Sequence, residues 1–464
     1  MVDALKKSLR HSAAARWTTM AVVAFTMLCG YYVADVASPL KPLIEQELRW
    51  TSEQYGFFTS AYGWFNVFLG MLVIGGIILD RKGPRFAGLL ASGLMVVGCG
   101  MKWWALSTPS LGASTLFGGS AQVVLTSIGY AIFGVGLELC GITATKIIAR
   151  WFKGYEIALA MGLQVAIARI GTGIALGASA PVAKLFEHVA APVLGGTLLL
   201  GVGLVAFVFY IGMDRRLDAS EGAEAASASE GAFRLSDIRQ ILSSRGFWYI
   251  ALLCSLFYSG VFPFLKYATD LMVQKFHVSE AYAGMIPSML PFGTVLLTPL
   301  FGRVYDRKGK GASIMILGSV LIMLVHLIFA LPFLTHWVVA IFAMLLLGVG
   351  FSLVPSAMWP SVPKLIPQRQ LGSAYALIFF LQNLIALMAT PYLIGWVLDR
   401  YCASRGTATQ IVDGVAKVVE SVRYDYTLPM TIFVGFGVLA VVVATMLKAE
   451  DRRRGYGLEL PNQP

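Results

Sequence analysis

Charged residues are scarce in this chain of 464 residues. Asp, Glu, Lys and Arg make up only 13% of it, whereas a soluble globular protein carries about 25% of them. Hydrophobic residues account for 57% of the sequence, and its mean hydropathy is +0.72. A large soluble protein would need far more charged surface to stay in solution. The composition therefore excludes that class and predicts a polytopic membrane protein.

Cysteine and histidine are also few, with five residues of each. The cysteines are odd in number and have no paired spacing, which argues against a disulfide framework and a zinc site. The sequence carries no nucleotide motif and no arrangement typical of a catalytic nucleophile, so we expect no enzyme, cofactor or metal. The net charge is +11, but the basic residues lie at the ends of apolar segments rather than on one patch. That distribution indicates membrane topology and not nucleic-acid binding.

Twelve apolar stretches are long enough to cross a bilayer, which takes about 20 mostly apolar residues. We number them spans 1 to 12, and they centre near Phe25, Phe68, Val96, Phe133, Ala166, Val202, Leu256, Leu297, Met323, Leu346, Leu384 and Val438. The first is expected to be a retained span and not a cleaved signal, because it is long and lacks a small-residue cleavage site. Two breaks between spans are longer than the others. The break at 400–427 is polar, and we expect either a small cap or a hairpin there.

The other long break, 214–245, lies near the middle of the chain. Its Ala, Ser, Glu and Gly run at 219–231 is typical of a flexible hydrophilic linker. We therefore predict an N-terminal six-helix half at 1–213, a cytoplasmic linker at 214–245 and a C-terminal six-helix half at 246–464. This arrangement puts 24 Lys and Arg residues on one side of the membrane and 10 on the other, with two inside spans. Because basic loops stay in the cytoplasm, both termini are predicted to be cytoplasmic.

The breaks after spans 2 and 8 contain the same pattern. Residues 76–83 read GIILDRKG and residues 302–309 read GRVYDRKG, 226 positions apart. A basic topogenic loop accounts for the Arg and Lys residues, but not for the repeated Asp and Gly. The Asp can pair with basic residues of neighbouring helices, and the Gly allows a tight turn. The repeat predicts two related halves of six spans each.

This G-x-x-x-D-R-x-G pattern resembles the signature of the major facilitator superfamily, and the resemblance covers nearly the whole chain. It implies an all-α membrane protein whose twelve transmembrane helices form two six-helix pseudo-symmetric halves, the major facilitator fold. In that family the pattern acts as a conformational latch. The resemblance thus implies a gating role for Asp80, Arg81, Gly83, Asp306, Arg307 and Gly309.

Two opposite charges lie deep inside neighbouring spans. Glu138 in span 4 is about 18 Å from the cytoplasmic end of its helix, and Arg169 in span 5 is at a depth of about 22 Å. They could form a structural ion pair. Alternatively, a zwitterionic solute such as an amino acid or short peptide binds between them, with its ammonium on Glu138 and its carboxylate on Arg169. Lys146 in span 4 could reach the same cavity, or its ammonium could snorkel to the cytoplasmic surface.

Further polar and aromatic side chains inside the spans are candidates for solute binding, although most aromatics in membrane spans serve as packing or anchors. They are Tyr62, Trp64, Asn66, Tyr258, Trp359, Gln382 and Asn383, with Tyr31 as an additional candidate. Asp35 and Lys266 lie toward the outer ends of spans 1 and 7. We expect them to be either outer-gate residues or solvated helix ends.

Several segments, in order along both halves, point to one branch of the superfamily. They are Tyr62 to Asn66, Gly134 to Glu138, Trp151 to Gly154, Gly162 to Gln164, Ala168 to Gly171, Val261 to Phe264, Trp359 with Pro360, Gln370 to Tyr375, and Gln382 with Asn383. They are similar to the lysosomal dipeptide uniporters and their prokaryotic relatives. That resemblance implies that Glu138 and Arg169 hold the amino and carboxyl ends of a dipeptide. Apolar neighbours of Glu138 depart from the family's small polar residues, which leaves the side-chain preference open.

We therefore expect a transporter of dipeptides or similar small zwitterions that works by alternating access, as a uniporter or coupled to protons. An organic-anion symporter for a carboxylate or sugar acid is the alternative, with Arg169 as anion site and Glu138 as proton site. A transporter-like receptor is a further alternative. The expected partners are the solute and the lipid bilayer, and the expected state is a monomer, with an accessory subunit left open. The N-terminus has no dileucine-type sorting signal, so a bacterial inner membrane is expected, with the lysosomal membrane as alternative.

Overall fold

The computed structural model describes residues 11–221, 235–367, 370–412 and 415–461. The N-terminal half (11–221) contains α1 Ala13–Asp35, α2 Lys41–Leu48, α3 Ser52–Ser60, α4 Trp64–Phe68, α5 Met71–Leu106, α6 Ser110–Ala113, β1 Thr115–Leu116, β2 Gly119–Ser120, α7 Ala121–Trp151, α8 Ile157–Leu185 and α9 Ala191–Glu221, with 3₁₀ turns at Ser38–Leu40 and Ala61–Gly63. The C-terminal half (235–461) contains α10 Leu235–Leu242, α11 Arg245–Ser259, α12 Phe262–Gln274, α13 Met285–Lys308, α14 Gly311–Ala330, α15 Trp337–Leu365, α16 Leu371–Gln382, α17 Thr390–Val397, β3 Ala403–Val412, β4 Val415–Tyr424 and α18 Thr427–Arg454, with π-helical segments at Asn383–Ala389 and Leu398–Cys402.

Eleven helical segments in the described part of the chain are long and apolar enough to cross a membrane. All twelve predicted span centres lie in helical residues, and the difference arises at span 2. Helix α5 changes direction at Gly83, whose φ is 78° and ψ 170°, and Pro84 follows. Residues 71–82 therefore complete span 2, and residues 84–106 form span 3.

Span 2 is an interrupted helix. It begins with a capping box, in which Thr51 Oγ1 accepts from Gln54 N–H at 3.2 Å and Gln54 Oε1 accepts from Thr51 N–H at 3.0 Å. Helix α3 then gives way to the 3₁₀ turn Ala61–Gly63 and the short helix α4. Irregular backbone inside a membrane protein is tolerated where it is buried in protein or lines a cavity.

The polar break after span 11 is a hairpin and not a cap. Strands β3 and β4 pair antiparallel, from Ala403 opposite Tyr424 to Val412 opposite Val415. We call the end of the bundle that carries this hairpin the hairpin side. The opposite end, which carries Gly83 and Gly309, is called the motif side.

The predicted linker begins inside a helix, because α9 continues to Glu221. Asp214, which is fully buried, holds this extension. Its carboxylate accepts from Arg85 Nε at 2.6 Å, from Arg150 at 3.2 Å and from the Trp151 indole at 3.1 Å. Most of the predicted flexible run at 219–231 lies outside the described residues.

The two halves pack closely on the hairpin side. Helix α8 packs on α13, and α3 packs on α17. Gly56 and Gly395 face each other in the second contact, where a Cβ on either glycine would strike the backbone of the opposite helix. Small residues of this kind let membrane helices approach each other closely.

Candidate functional site

The motif side forms the turns that the repeated pattern predicts. Gly83 and Gly309 have φ values of 78° and 65°, a region that favours glycine. Asp80 pairs with Lys146 of α7 at 2.7 Å. Lys146 therefore pairs with an aspartate of the motif, and its part in solute binding stays a prediction.

The other charged residues of the motif lie at or near the surface. Arg81 and Arg307 are exposed, and Asp306 is half-buried. Their gating role stays a prediction.

The carboxylate of Glu138 is positioned by the interrupted helix of span 2. Tyr62, in the 3₁₀ turn, donates its hydroxyl to Glu138 Oε1 at 2.9 Å. Gly134 lies one turn before Glu138 on α7, and a Cβ there would strike the carbonyl oxygen of Tyr62. The glycine thus lets the two helices approach closely enough for the tyrosine to reach the carboxylate.

The guanidinium of Arg169 lies among three aromatic rings. It is 5.4 Å from the ring centroid of Tyr31, 5.6 Å from that of Phe262 and 5.3 Å from that of Phe351. Tyr31 belongs to the N-terminal half, whereas Phe262 and Phe351 belong to the C-terminal half. Stacking on aromatic faces is favourable for arginine, so Arg169 lies where the two halves meet.

Glu138 and Arg169 do not form an ion pair with each other. Among the described residues, neither has an oppositely charged side chain within ion-pairing distance. Both are partly exposed. The structural pairing that the sequence left open is therefore absent from this conformation, and each charge keeps capacity for a ligand.

A series of packed aromatic rings in the C-terminal half extends from the ring of Phe262, which contacts Arg169. Tyr258 stacks on Phe262 at 4.9 Å and faces Trp359 at 6.4 Å between ring centroids. Trp359 also lies 5.3 Å from the ring of Phe379. The predicted residues Tyr258 and Trp359 are thus connected to Arg169 through Phe262.

The two predicted asparagines lie at the irregular segments of spans 2 and 11. Asn66 donates to Tyr62 O at 3.4 Å, and Asn383 donates to Phe379 O at 3.0 Å. Both Oδ1 atoms are buried and accept no hydrogen bond from the described residues. The 3₁₀ turn of span 2 packs against the π-helical segment that begins at Asn383. These two free acceptors therefore come from facing segments of the two halves.

Gln382 and Trp64 are more fully engaged within the protein. Gln382 Oε1 accepts from the Cys254 thiol at 3.4 Å, and the Trp64 indole donates to Ser60 Oγ at 3.1 Å. Trp64 also packs on Phe57 at 4.8 Å between centroids. Their assignment to solute binding stays a prediction.

Asp35 and Lys266 pair with each other and are largely buried, so they are not solvated helix ends, and their role in an outer gate stays a prediction. Their ion pair of 2.7 Å joins the two halves on the hairpin side. A second pair, between Lys41 and Asp270 at 2.6 Å, also joins them, and both of its side chains are 0% exposed. The hairpin side is therefore closed.

The sequence analysis missed Phe262, Phe351 and the Lys41–Asp270 pair. Phe262 lies in a segment that carries the resemblance, but nothing in the sequence distinguishes Phe351 from the other 27 phenylalanines. Lys41 and Asp270 lie at span ends, where charges are ordinary. Because Lys41 is four residues before Glu45, the sequence predicts at most an ion pair within one helix, and not a pair with Asp270.

The family model described as Major Facilitator Superfamily matches residues 20–390. Among curated proteins, the chain is 30% identical over 284 residues to the lysosomal dipeptide transporter MFSD1 of Gallus gallus, covering 59% of this chain and 62% of that protein. It is 27% identical over 394 residues to the protein of the same name in Mus musculus, covering 83% and 80%. It is 23% identical over 252 residues to the hexuronate transporter of Escherichia coli (strain K12), covering 53% and 54%. The chain thus spans about three fifths of the first of these relatives and four fifths of the second.

Solved structures share the fold. The nucleoside transporter NupG superimposes with a TM-score of 0.66 at 15% identity, covering 93% of this chain and 98% of that one. A bacterial homologue of the human lysosomal transporter Spinster, in an inward-facing and occupied conformation, gives a TM-score of 0.66 at 12% identity, covering 94% and 98%. At such low identity the likeness concerns the fold alone.

Proposed function

The chain belongs to the major facilitator superfamily, and from that premise we propose that it carries dipeptides or similar small zwitterions by alternating access between its halves. One observation carries the proposal: a carboxylate and a guanidinium lie inside neighbouring spans without an ionic partner among the described residues. Charged groups inside a membrane are costly and usually mark a functional site. The relatives named as dipeptide transporters support the substrate class.

In the proposed complex, Glu138 binds the ammonium of the solute and Arg169 binds its carboxylate. Tyr62 holds the Glu138 side chain, since its hydroxyl occupies one oxygen and leaves the other for the solute. The Arg169 fork can bind a carboxylate through two parallel hydrogen bonds. The free Oδ1 atoms of Asn66 and Asn383 can accept from the peptide N–H or the ammonium.

Blocked dipeptides test this assignment end by end. The probes are dialanine, its N-acetylated form and its C-terminal amide, and the readout is thermal stabilisation of the purified protein, which follows ligand affinity by mass action. A hydrogen bond to a charged group contributes about 1.5–3 kcal/mol. We therefore expect each block to weaken binding roughly ten- to hundredfold.

The matched variants decide which residue holds which end. In Glu138→Gln the difference between dialanine and its N-acetylated form should disappear, whereas in Arg169→Gln the difference between dialanine and its amide should disappear. Lys146→Met is the control, because it removes a charge that pairs with Asp80, and it should keep both differences. If the differences survive in Glu138→Gln and Arg169→Gln, the proposed orientation is wrong.

An organic anion is the second candidate solute, and the similarity to a hexuronate transporter favours it. In that case Arg169 binds the anion and Glu138 takes up a proton. Galacturonate would then stabilise the protein and dialanine would not. Stabilisation by galacturonate that is lost in Arg169→Gln would replace the dipeptide proposal with this one.

We further propose a bacterial inner membrane, with the motif side in the cytoplasm, and a monomer as the working unit. The distribution of basic residues supports the orientation. The relatives carry the word lysosomal in their names, so a lysosomal membrane is the alternative location.

A further inference from the structure

Apart from the more exposed pair of Lys184 and Glu280, six charged side chains of the described residues lie at the interface of the halves on the closed hairpin side, each at most 16% exposed. The N-terminal half contributes two acidic and two basic residues, and the C-terminal half contributes one of each. They are Asp35, Lys41, Glu45 and Lys102 from the first half, and Lys266 and Asp270 from the second. Within this set, the formal charges of each half add up to zero.

Lys102 is the member of this set that has no acidic partner in the closed structure. It is 0% exposed, and its ammonium donates to Val33 O at 3.2 Å. Its other contacts are the faces of Tyr130 at 4.9 Å and Phe133 at 5.7 Å. No ion pair joins it to a described residue. An unpaired lysine buried in a membrane span is costly, so it calls for an explanation.

Lys102 lies directly beside the pair that closes the gate. Lys266 donates to Ala34 O at 2.8 Å, the carbonyl next to the one that Lys102 binds. Both ammonium groups also contact Tyr130. Helix α1 ends at Asp35, so two lysines, one from each half, lie at the same negatively polarised helix end.

Separating the halves would break the buried pairs Asp35–Lys266 and Lys41–Asp270, as well as the more exposed pair of Lys184 and Glu280. Removing one partner of a buried ion pair costs about 3–5 kcal/mol, because the other charge stays uncompensated. Each of the four buried charges nevertheless has a group of opposite charge nearby in its own half. Lys41 already contacts Glu45 at 2.8 Å, and Lys266 is four residues before Asp270 on α12, a spacing at which helical side chains meet.

We propose that the hairpin-side gate opens by exchange of ion-pair partners, in which Asp35 leaves Lys266 for Lys102 while Lys266 and Asp270 pair on α12. Lys41 keeps Glu45. Asp270 also keeps Tyr426, which donates to it at 2.5 Å from the same half. Lys102 is thus the residue that compensates Asp35 in the open state. This inference concerns the gate and holds for any solute.

The test measures the distance between the halves without a solute. Spin labels go on Leu185→Cys and Phe333→Cys, which are 77% and 74% exposed on the hairpin side of the two halves; the five native cysteines are buried. The background carries Lys41→Gln, which weakens the other gate pair and raises the open fraction. Lys102→Gln keeps a hydrogen-bond donor for Val33 O but removes the charge, and Lys102→Arg keeps the charge.

We expect Lys102→Gln to lower the ratio of open to closed protein about tenfold, and Lys102→Arg to leave it near that of the background. With Asp35→Asn also present, Lys102→Gln should have no further effect on the ratio. An equal effect with and without Asp35→Asn, or a lower melting temperature with an unchanged ratio, would show that Lys102 only caps α1. If Lys102→Gln does not fold, Lys102→Met replaces it in the same comparison.

Discussion

At the scale of single residues, Gly134 controls whether Tyr62 can reach Glu138. Gly134→Ala puts a methyl group against the Tyr62 carbonyl oxygen, which belongs to the backbone and cannot move freely. Overpacking of this kind costs about 1–3 kcal/mol. We expect a lower melting temperature together with weaker binding of dialanine, both measured by thermal unfolding.

The control for this change is Gly162→Ala on α8. A Cβ at Gly162 meets nothing within 4 Å, so alanine should stabilise the helix by up to about 1 kcal/mol. If Gly134→Ala leaves the melting temperature and the binding of dialanine as high as Gly162→Ala does, the close approach of Gly134 to Tyr62 is not needed for the site.

The same scale shows what the sequence could reveal about the site. Glu138 and Arg169 could be found because charges are rare inside apolar spans, and Tyr62 lies in a segment that carries the family resemblance. Phe351 could not be found, because its role depends on its contact with Arg169 of the other half. The sequence predicts only that Lys102 is a basic residue of the outer side, because a position near a span end carries no information on burial; in the structure it is fully buried.

At the scale of elements, the two motif turns offer a matched pair of substitutions. Gly83→Ala meets no neighbouring atom, so its cost is backbone strain alone, which is about 1–3 kcal/mol for this region of φ and ψ. Gly309→Ala carries the same kind of strain, but its Cβ also strikes Glu459 O and Pro461 N of the C-terminal segment. That segment is fixed there, because Lys310 N–H donates to Glu459 O at 3.0 Å.

We therefore expect Gly309→Ala to lower the melting temperature more than Gly83→Ala does, measured on the purified protein in the same detergent. Removal of residues 456–464 should make the two decreases in melting temperature similar, since it removes the atoms that the Cβ of Gly309→Ala strikes. Equal effects in the full chain would mean that the C-terminal segment does not constrain the second turn.

The sequence predicts the helices that an apolar pattern alone determines. It does not predict the elements whose form depends on packing against other parts of the chain. All twelve span centres fall in helix, since a bilayer requires long apolar helices. The interruption of span 2 at Ala61–Gly63 was not predicted, because its sequence is as apolar as a regular helix. The sequence does not distinguish the hairpin β3–β4 from a small cap, because the polar residues of this segment fit both structures.

At the scale of the whole molecule, the repeated motif predicts related halves, but it does not predict which end of the bundle is closed. That depends on pairs of side chains far apart in sequence, such as Lys41 with Asp270. Neither charge is unusual in its own segment. Their relation arises only when α2 of one half meets α12 of the other, so it is a property of the assembled fold.

The orientation of the molecule is a prediction of the same scale, and it can be tested directly. Phe117→Cys is on the hairpin side and Lys153→Cys on the motif side, and both positions are exposed. The native cysteines are buried and should give little background. Because the motif side carries most of the basic residues, a membrane-impermeant maleimide should label Phe117→Cys in intact bacterial cells and Lys153→Cys only after the membrane is opened. The reverse pattern would place the motif side outside and would also reverse the direction in which the closed gate faces.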